Sequence, residues 1–233
     1  MLESISHTLI TRQRRKAQKL ASQGSMRNYL STALPHPNQS AWHCGYLVLD
    51  LEMSGLDAEQ DHILSAGWVA IENGQIHHNS AEHYYVANNE SQLDLSESGP
   101  IHKISHTVLS SGIALNTVLD KLLRQLSNRV LVVHHAPLDV NFLNIACEQV
   151  YGVRPYCTVI DTLRNEQLKL SRQNKLDGAS LRLHDCRRRY NLPSYQAHNA
   201  VIDALATAEL WLAQMAHASP NGDRENLRLR YFG

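Results

Sequence analysis

The sequence predicts an α/β protein whose mixed sheet opens as an antiparallel meander and is flanked by helices. Three observations support this fold class. β-Rich segments come first, an Asn73-Gly74 dipeptide then marks a tight hairpin, and strands alternate with helices over the rest of the chain.

Each predicted strand has its own signal. Residues 46–52 are a short β-rich run, and residues 63–71 form a second apolar run. Because Asn-Gly favours the tight turn that joins antiparallel strands, residues 75–86 are predicted to return beside the second run. Residues 130–133, a continuous Val and Leu run, and residues 158–160 are the last two predicted strands.

The helices are predicted from apolar spacing. Residues 115–126 place Leu and Val at steps of three and four, which is typical of an amphipathic helix. Further helices are expected at about 139–150, 181–190 and 199–215. The sequence contains no internal repeat and no low-complexity tract.

Residues 1–44 are predicted to be a basic helical extension of a main domain at 45–233. This segment contains six Lys or Arg residues against one acid, Glu3. Because Pro35 and Pro37 interrupt the segment, one or two short helices followed by a linker are expected. These are expected to pack on the main domain. A solvated basic face is the favoured interpretation, and a nucleic-acid-binding arm is the alternative.

The composition excludes several classes of protein. With 22 basic and 22 acidic residues, the chain does not coat nucleic acid through bulk charge, although an enzyme could still grip a few nucleotides. The four cysteines form no C-x-x-C pair and suit reduced thiols. Neither a membrane-spanning run nor a secretory signal is evident, so no membrane partner is expected and the cytoplasm is the expected location.

Two acids on the first predicted strand are the first candidate site residues. Asp50 and Glu52 are two residues apart, so their side chains should share one face of the strand. The leucines between and before them mark the other face as core. A divalent cation would balance such a pair, whereas an ordinary solvent-facing strand is the alternative.

Asp139, His198 and Asp203 are the other candidates. Asp139 follows a buried strand at the start of a helix, where active-site groups gather in α/β folds, although a helix cap is the alternative. Asp203 lies in an apolar stretch and needs a partner. His198 is five residues earlier and is expected on the incoming loop, because that spacing would not share a helix face. The alternative is a surface histidine.

The order and spacing of these residues resemble the DEDDh exonuclease family over about residues 45–215. Residues 50–57, Asp-Leu-Glu-Met-Ser-Gly-Leu-Asp, resemble the first motif. Residues 134–139, His-His-Ala-Pro-Leu-Asp, resemble the second, and the His-x4-Asp segment at 198–203 resembles the third. Residues 101–105 resemble a lesser family segment. The resemblance is strongest to the proofreading subunit of bacterial DNA polymerase III and its stand-alone relatives.

This resemblance implies a ribonuclease H-like fold and a metal-dependent 3′→5′ exonuclease that releases nucleoside monophosphates. It implies that Asp50, Glu52, Asp139 and Asp203 hold two Mg²⁺ or Mn²⁺ ions. His198 would be the general base that takes a proton from the attacking water. The expected partner is a single-stranded or frayed nucleic-acid 3′ end. The implied pocket for the terminal nucleotide is lined by Met53, Ser54, Gly55 and Leu56.

Several alternatives stay open. The chain departs from the family pattern at Leu51, Met53, Ser54, Lys103, His135 and Leu138. The first three resemble oligoribonuclease instead, so an RNA-trimming exonuclease is the alternative. DNA is still the favoured substrate, because the resemblance is strongest to the proofreading subunit. A non-catalytic binding module is disfavoured because all four acids and the histidine are present. The short stretch after the last predicted helix favours a stand-alone enzyme, with association with a DNA polymerase left open.

Overall fold

The sheet of the computed structural model is mixed and opens with an antiparallel meander, as predicted. The structure describes residues 2–21, 24–87, 106–196, 198–219 and 222–232. The strands are β1 (Tyr46–Met53), β2 (Ile63–Glu72), β3 (Gln75–Tyr85), β4 (Val130–Val133) and β5 (Val159–Asp161). Their order across the sheet is β3-β2-β1-β4-β5. The β1–β2 and β2–β3 pairs are antiparallel, whereas β1–β4 and β4–β5 are parallel.

The helices follow the predicted pattern with several differences. They are α1 (Leu2–Leu20), α2 (Ser25–Ser31), α3 (His106–Ser110), α4 (Leu115–Leu126), α5 (Ala136–Tyr151), α6 (Thr162–Arg172), α7 (Leu183–Arg188) and α8 (Ala200–Ala218). Helix α5 begins three residues earlier than expected, because His135 is its N-cap residue and Pro137 lies in its first turn. Helix α7 is shorter than expected, and α3 and α6 were not predicted.

The two faces of β1 belong to different layers of the protein. Its three leucines pack into a core with α4 and α5. Tyr46 and Val48 pack into a second core with α8 on the opposite side of the sheet. Since successive side chains alternate between faces, Asp50 and Glu52 point towards the α8 side, as their spacing predicted.

The N-terminal segment is joined to the main domain through a buried cation. The segment contains two helices, as expected, but α1 has 19 residues and is longer than predicted, whereas α2 is short. The side chain of Arg14 is buried, and it donates hydrogen bonds to the carbonyl oxygens of Pro155 and Tyr156, both at 3.0 Å. It also donates to those of Tyr29 (2.6 Å) and Thr32 (3.2 Å). Arg14 is therefore not part of a solvated face, and the domain boundary at residue 44 stays a prediction.

Three other predictions concern the rest of the chain. The four cysteines are free and buried, which agrees with reduced thiols. Among the described residues, no helix is long and apolar enough to cross a membrane. The family-like segment at residues 101–105 lies outside the described residues.

Candidate active site

Three carboxylates from two elements meet on the α8 side of the sheet. Within the part of the chain that the structure describes, ligand oxygens of Asp50, Glu52 and Asp203 all lie within 4.8 Å of one another. Asp50 and Glu52 come from β1, and Asp203 comes from the first turn of α8. The structure therefore brings together three of the four acids that the sequence singled out, across a separation of about 150 residues.

A glycine on β2 makes this meeting sterically feasible. Gly67 is the register partner of Asp50 on the neighbouring strand. A Cβ atom at Gly67 would lie 2.1 Å from the backbone nitrogen of Val201 and 2.3 Å from the carbonyl carbon of Ala200. The first turn of α8 thus rests directly on the backbone of β2. Sequence reasoning missed Gly67, although a lone glycine inside an apolar strand is a signal of close backbone approach.

The loop before α8 orients the carboxylate of Asp203. One of its oxygens accepts hydrogen bonds from the backbone N–H groups of His198 (2.7 Å) and Asn199 (3.3 Å). The side chain of Asn199 caps the helix by accepting from the backbone N–H of Ile202. His198 has a left-handed backbone with φ of 70°. The five-residue spacing between His198 and Asp203 is therefore that of a capped turn, and His198 lies on the incoming loop as expected.

Asp139 approaches the cluster from the other side of β1. It lies in the first turn of α5, and its Oδ1 accepts a hydrogen bond from the backbone N–H of Leu51 at 3.2 Å. Asp139 is not the N-cap residue, so the cap alternative for it is not observed. Its negative charge still affects the cluster. The pKa of Asp50 is raised mainly by burial, and the charge of Asp139 is the next largest cause.

The electrostatics of the cluster favour a bound cation. The pKa of Asp50 is raised well above its ordinary value by burial and then by the charges of Asp139, Glu52 and Asp203. Burial raises the pKa of Asp139 to about 8. Burial also raises the pKa of Asp203, against the hydrogen bond from His198 N–H. Crowded carboxylates of this kind take up protons or a cation, and their hard oxygen atoms fit a divalent metal ion.

The cluster opens into a cleft of about 1110 Å³. It is lined by Asp50, Glu52, Asp203 and His198 together with residues 180–184 and 193–195. Arg187 supports the second group: it is buried and binds the carbonyl oxygen of Pro193 (2.8 Å) and the carboxylate of Glu209 (2.7 Å). The carboxylates are thus accessible to a large ligand, and part of the cleft lining is held by fixed contacts.

The four residues assigned to the nucleotide pocket are not among those that line this cleft. The side chain of Met53 is buried in the core on the other face of β1. The Ser54 hydroxyl donates to Asp61 at 2.9 Å, and a Cβ atom at Gly55 would collide with the Asp61 carboxylate at 2.3 Å. Leu56 is 81% exposed. Their role in binding substrate stays a prediction.

A histidine on β3 lies close to the cluster and was missed by sequence reasoning. His83 is the register partner of Gly67, which is itself the partner of Asp50. Burial lowers the pKa of His83, and the negative charge of Glu52 opposes that shift. The His83 ring lies against Tyr85, with 4.7 Å between ring centroids. Extrapolating from the Asn73-Gly74 hairpin would not have placed it, because an irregularity between Trp68 and Ala70 shifts the register. Unbroken pairing would put Ser80 opposite Gly67.

Comparison with known proteins identifies relatives of the same architecture. The family described as Exonuclease (RNase T) matches residues 47–211. The chain is 32% identical over 171 residues to DNA polymerase III PolC-type from Thermotoga petrophila, covering 72% of this chain but 12% of that protein. It is 28% identical over 174 residues to the DNA polymerase III subunit epsilon of Rickettsia prowazekii, covering 72% of each.

Solved structures agree with the fold. Exonuclease I from E. coli, in complex with a dT13 oligonucleotide, aligns with a TM-score of 0.63 at 16% identity, over 76% of this chain and 42% of that one. Cell-death related nuclease 4 aligns with a TM-score of 0.61 at 14% identity, over 75% of this chain and 66% of that one. The family match spans β1 to α8 and includes every member of the carboxylate cluster. The chain belongs to the exonuclease (RNase T) family.

Proposed function

We propose that this chain is a metal-dependent 3′→5′ exonuclease that hydrolyses phosphodiester bonds and releases nucleoside monophosphates. The observation that carries the proposal is the convergence of Asp50, Glu52 and Asp203 at the open cleft, with Asp139 behind them. A cleft of this size has room for a strand end. Its crowded carboxylates would repel a phosphate unless a cation lies between them.

The four carboxylates are proposed to hold two Mg²⁺ or Mn²⁺ ions. Their donor set is made of oxygen atoms, which suits these hard cations better than softer ones. When bound, such ions supply Lewis acidity at the scissile phosphate and a more acidic attacking water. Asp139 and Asp203 are each fixed by backbone N–H groups, so the chain orients these two carboxylates before any ligand arrives.

His198 is proposed to accept the proton of the attacking water. It is exposed, it lines the cleft beside Asp203, and histidine side chains gain and lose a proton near neutral pH. Its backbone N–H is committed to Asp203, which fixes the residue at the edge of the carboxylate cluster. Under this proposal, a water molecule next to the acids transfers its proton to the His198 side chain.

DNA is the proposed substrate. Relatives over the same segment are named as DNA polymerase III proteins, and the Exonuclease I structure contains a deoxythymidine oligonucleotide. An RNA-trimming activity is the competing proposal, because the residues after Asp50 resemble oligoribonuclease. Association with a DNA polymerase is proposed only from the names of the relatives, and co-purification with a polymerase subunit would test it.

An assay on labelled strands tests the proposed activity. Matched single-stranded DNA, mismatched duplex and RNA carry a 5′ label and are incubated with Mg²⁺, with Mn²⁺ or with chelator. We expect products shortened one nucleotide at a time from the 3′ end, faster on DNA, and none in chelator. Blocking the 3′ end should stop the reaction. Full activity in chelator, or no cleavage of any strand with either metal, would overturn the proposal.

A further inference from the structure

The solvent face of α1 carries a row of cations. Its members are Arg12, Arg15, Lys16 and Lys19, all of them exposed. At about 100° per residue, these four positions fall within an arc of roughly 100° on the helix surface. Arg14 and Ala17 lie on the opposite side of the helix and are buried against the domain. We name the four exposed cations the α1 basic stripe.

The charge of the stripe is segregated rather than paired. Among the described residues, no ion pair joins any of its four members to an acid. The first 44 residues contain six basic residues and one acid, whereas residues 45–233 contain 16 basic and 21 acidic residues. The formal neutrality of the chain therefore conceals a basic extension on an acidic domain.

The stripe is displayed by a fixed helix and not by a loose tail. Arg14 joins α1 to four backbone carbonyl oxygens, two of them in the loop before β5. Ala17 and Ala21 belong to the same core as the leucines of β1. A basic run in a disordered tail would have no preferred direction, but these side chains project from one surface of the folded domain.

We propose that the α1 basic stripe binds the phosphate backbone of a nucleic-acid strand whose 3′ end lies in the carboxylate cleft. This inference rests on the proposed function. The acidic main domain repels a polyanion, and a local row of unpaired cations offsets that repulsion and raises the rate of encounter. A solvated polar face would show the same alignment, so measured binding of a strand separates the two interpretations.

The stripe and the carboxylates are well separated on the domain. Arg14 anchors α1 to Tyr156, before the amino end of β5, whereas the carboxylates lie towards the carboxyl end of the parallel strands. Helix α1 also packs into the core on the α4 and α5 side of the sheet, whereas Asp50 and Glu52 point towards the α8 side. A strand with its 3′ end in the cleft would therefore reach the stripe only by passing around the domain, so only a long strand can contact both.

An anionic membrane is a weaker fit to the same helix. A helix that lies on a membrane presents an apolar face next to its basic one. In α1, Ala17 is buried in the protein core, and the exposed large apolar side chains described beside the stripe are Leu9 (52% exposed) and Leu20 (77% exposed), which form only a small face for lipid. The nucleic-acid strand is therefore the partner that the packing of α1 favours, and vesicle binding becomes one outcome of the test.

Two variants of equal charge separate the stripe from general electrostatics. The stripe variant is Arg12→Gln/Lys16→Gln/Lys19→Gln. The control is Arg124→Gln/Arg172→Gln/Lys175→Gln, at exposed positions that do not line the cleft. Glutamine keeps helix propensity, and thermal melting checks the fold. If the triple variant has a lower melting temperature than the native protein, the double variant Arg12→Gln/Lys16→Gln replaces it. Binding of a strand of about 20 nucleotides, and of anionic phospholipid vesicles, is measured in chelator from about 50 to 200 mM salt. Hydrolysis of that strand and of a trinucleotide is measured with Mg²⁺.

We expect the stripe variant to bind the long strand at least about tenfold more weakly at low salt. The slope of log affinity against log salt should become shallower by about 2, or about 0.7 per lost phosphate contact. Trinucleotide hydrolysis should be unchanged, and the control should stay within about threefold of the native protein. Equal effects in both variants, no effect in either, or a loss confined to anionic vesicles would overturn the inference. If the native protein cleaves neither substrate, the proposed function fails, and strand binding in chelator still decides on the stripe.

Discussion

The two ends of the sheet bury charge in opposite ways. At the amino end of the parallel strands, the single cation of Arg14 is surrounded by four backbone carbonyl oxygens and lies 4.4 Å from the centre of the Tyr29 ring. Towards the carboxyl end, carboxylates of like sign crowd together, and burial with mutual repulsion raises the pKa of Asp50. The first arrangement is complete within the chain, whereas the second needs protons or a cation.

This difference separates a structural charge from a functional one. A buried charge whose hydrogen bonds are satisfied internally stabilises one packing arrangement and is costly to remove. A buried cluster of like charges destabilises the protein until a ligand arrives, so its removal should harm activity and help stability. The four predictions below test that contrast, starting with the largest expected effect.

Asp50→Asn should abolish exonuclease activity, by about four decades or more, because the variant loses a carboxylate from the proposed metal site. In chelator, the same variant should melt at a higher temperature than the native protein, since repulsion within the cluster is relieved. Kinetics and thermal melting on one preparation measure both effects. Asp177→Asn, an exposed acid, is the control and should change neither. A variant that is both active and unchanged in stability would remove Asp50 from the site.

His198→Asn should lower the rate by about two to four decades while metal binding survives. Asparagine tolerates the left-handed backbone at this position, so the N–H group that binds Asp203 should stay in place. A general base must be unprotonated, so the native rate should fall as the pH is lowered, and this acid limb should disappear in the variant. His78→Asn, on the exposed edge of β3, serves as the control. Native turnover in the His198 variant from about pH 6 to 9 would contradict the assignment.

Arg14→Met should destabilise the protein by about 3 kcal/mol, because it removes a buried charge and leaves carbonyl oxygens of Pro155 and Tyr156 without their donor. The aliphatic part of the side chain is retained, so the loss is mainly one of hydrogen bonds. Arg15→Met, on the exposed face, should change stability by less than about 0.5 kcal/mol. Urea unfolding compares the two variants, and equal midpoints would show that Arg14 is not a structural anchor.

The metal-free protein should lose stability as pH rises from about 4 to about 8. Burial raises the pKa of Asp139 to about 8 in the folded state, whereas an unfolded Asp titrates near 4. The folded state therefore holds a proton that the unfolded state has released, and its advantage is lost as pH rises through the folded pKa. One such proton gives a slope of about 1.4 kcal/mol per pH unit. Asp139→Asn keeps an acceptor for Leu51 N–H and should reduce the slope, measured by unfolding in chelator. An unchanged slope would show that Asp139 is ionised without metal.

The parts of the molecule that follow simple periodicity were predictable from the sequence. Alternation along β1 correctly placed Asp50 and Glu52 on one face and its leucines on the other, because a half-buried strand has a period of two. The Asn73-Gly74 turn correctly gave the hairpin between β2 and β3. The position of His198 outside the last helix also followed, since a spacing of five residues does not fit one helix face.

The parts that depend on polar burial were not predictable in this way. Helix α6 was missed because one of its buried positions is Glu166, which pairs with Lys169 and Arg189, so an apolar period is weak there. The length of α1 was missed for a related reason, since its anchor is Arg14. Patterns of hydrophobicity treat such residues as solvent-facing, and only the structure reveals their partners.

The contact at Gly67 limits what a complete set of motif residues can tell about an enzyme of this kind. All four acids and the histidine could be retained while a single added methyl group on β2 pushed the first turn of α8 away from the sheet. Asp203 would then move relative to Asp50, and such a protein would read as active in every motif search yet bind its metal poorly. Predicting activity for related sequences therefore requires checking that the position of Gly67 is also a glycine, although this residue takes no part in the chemistry.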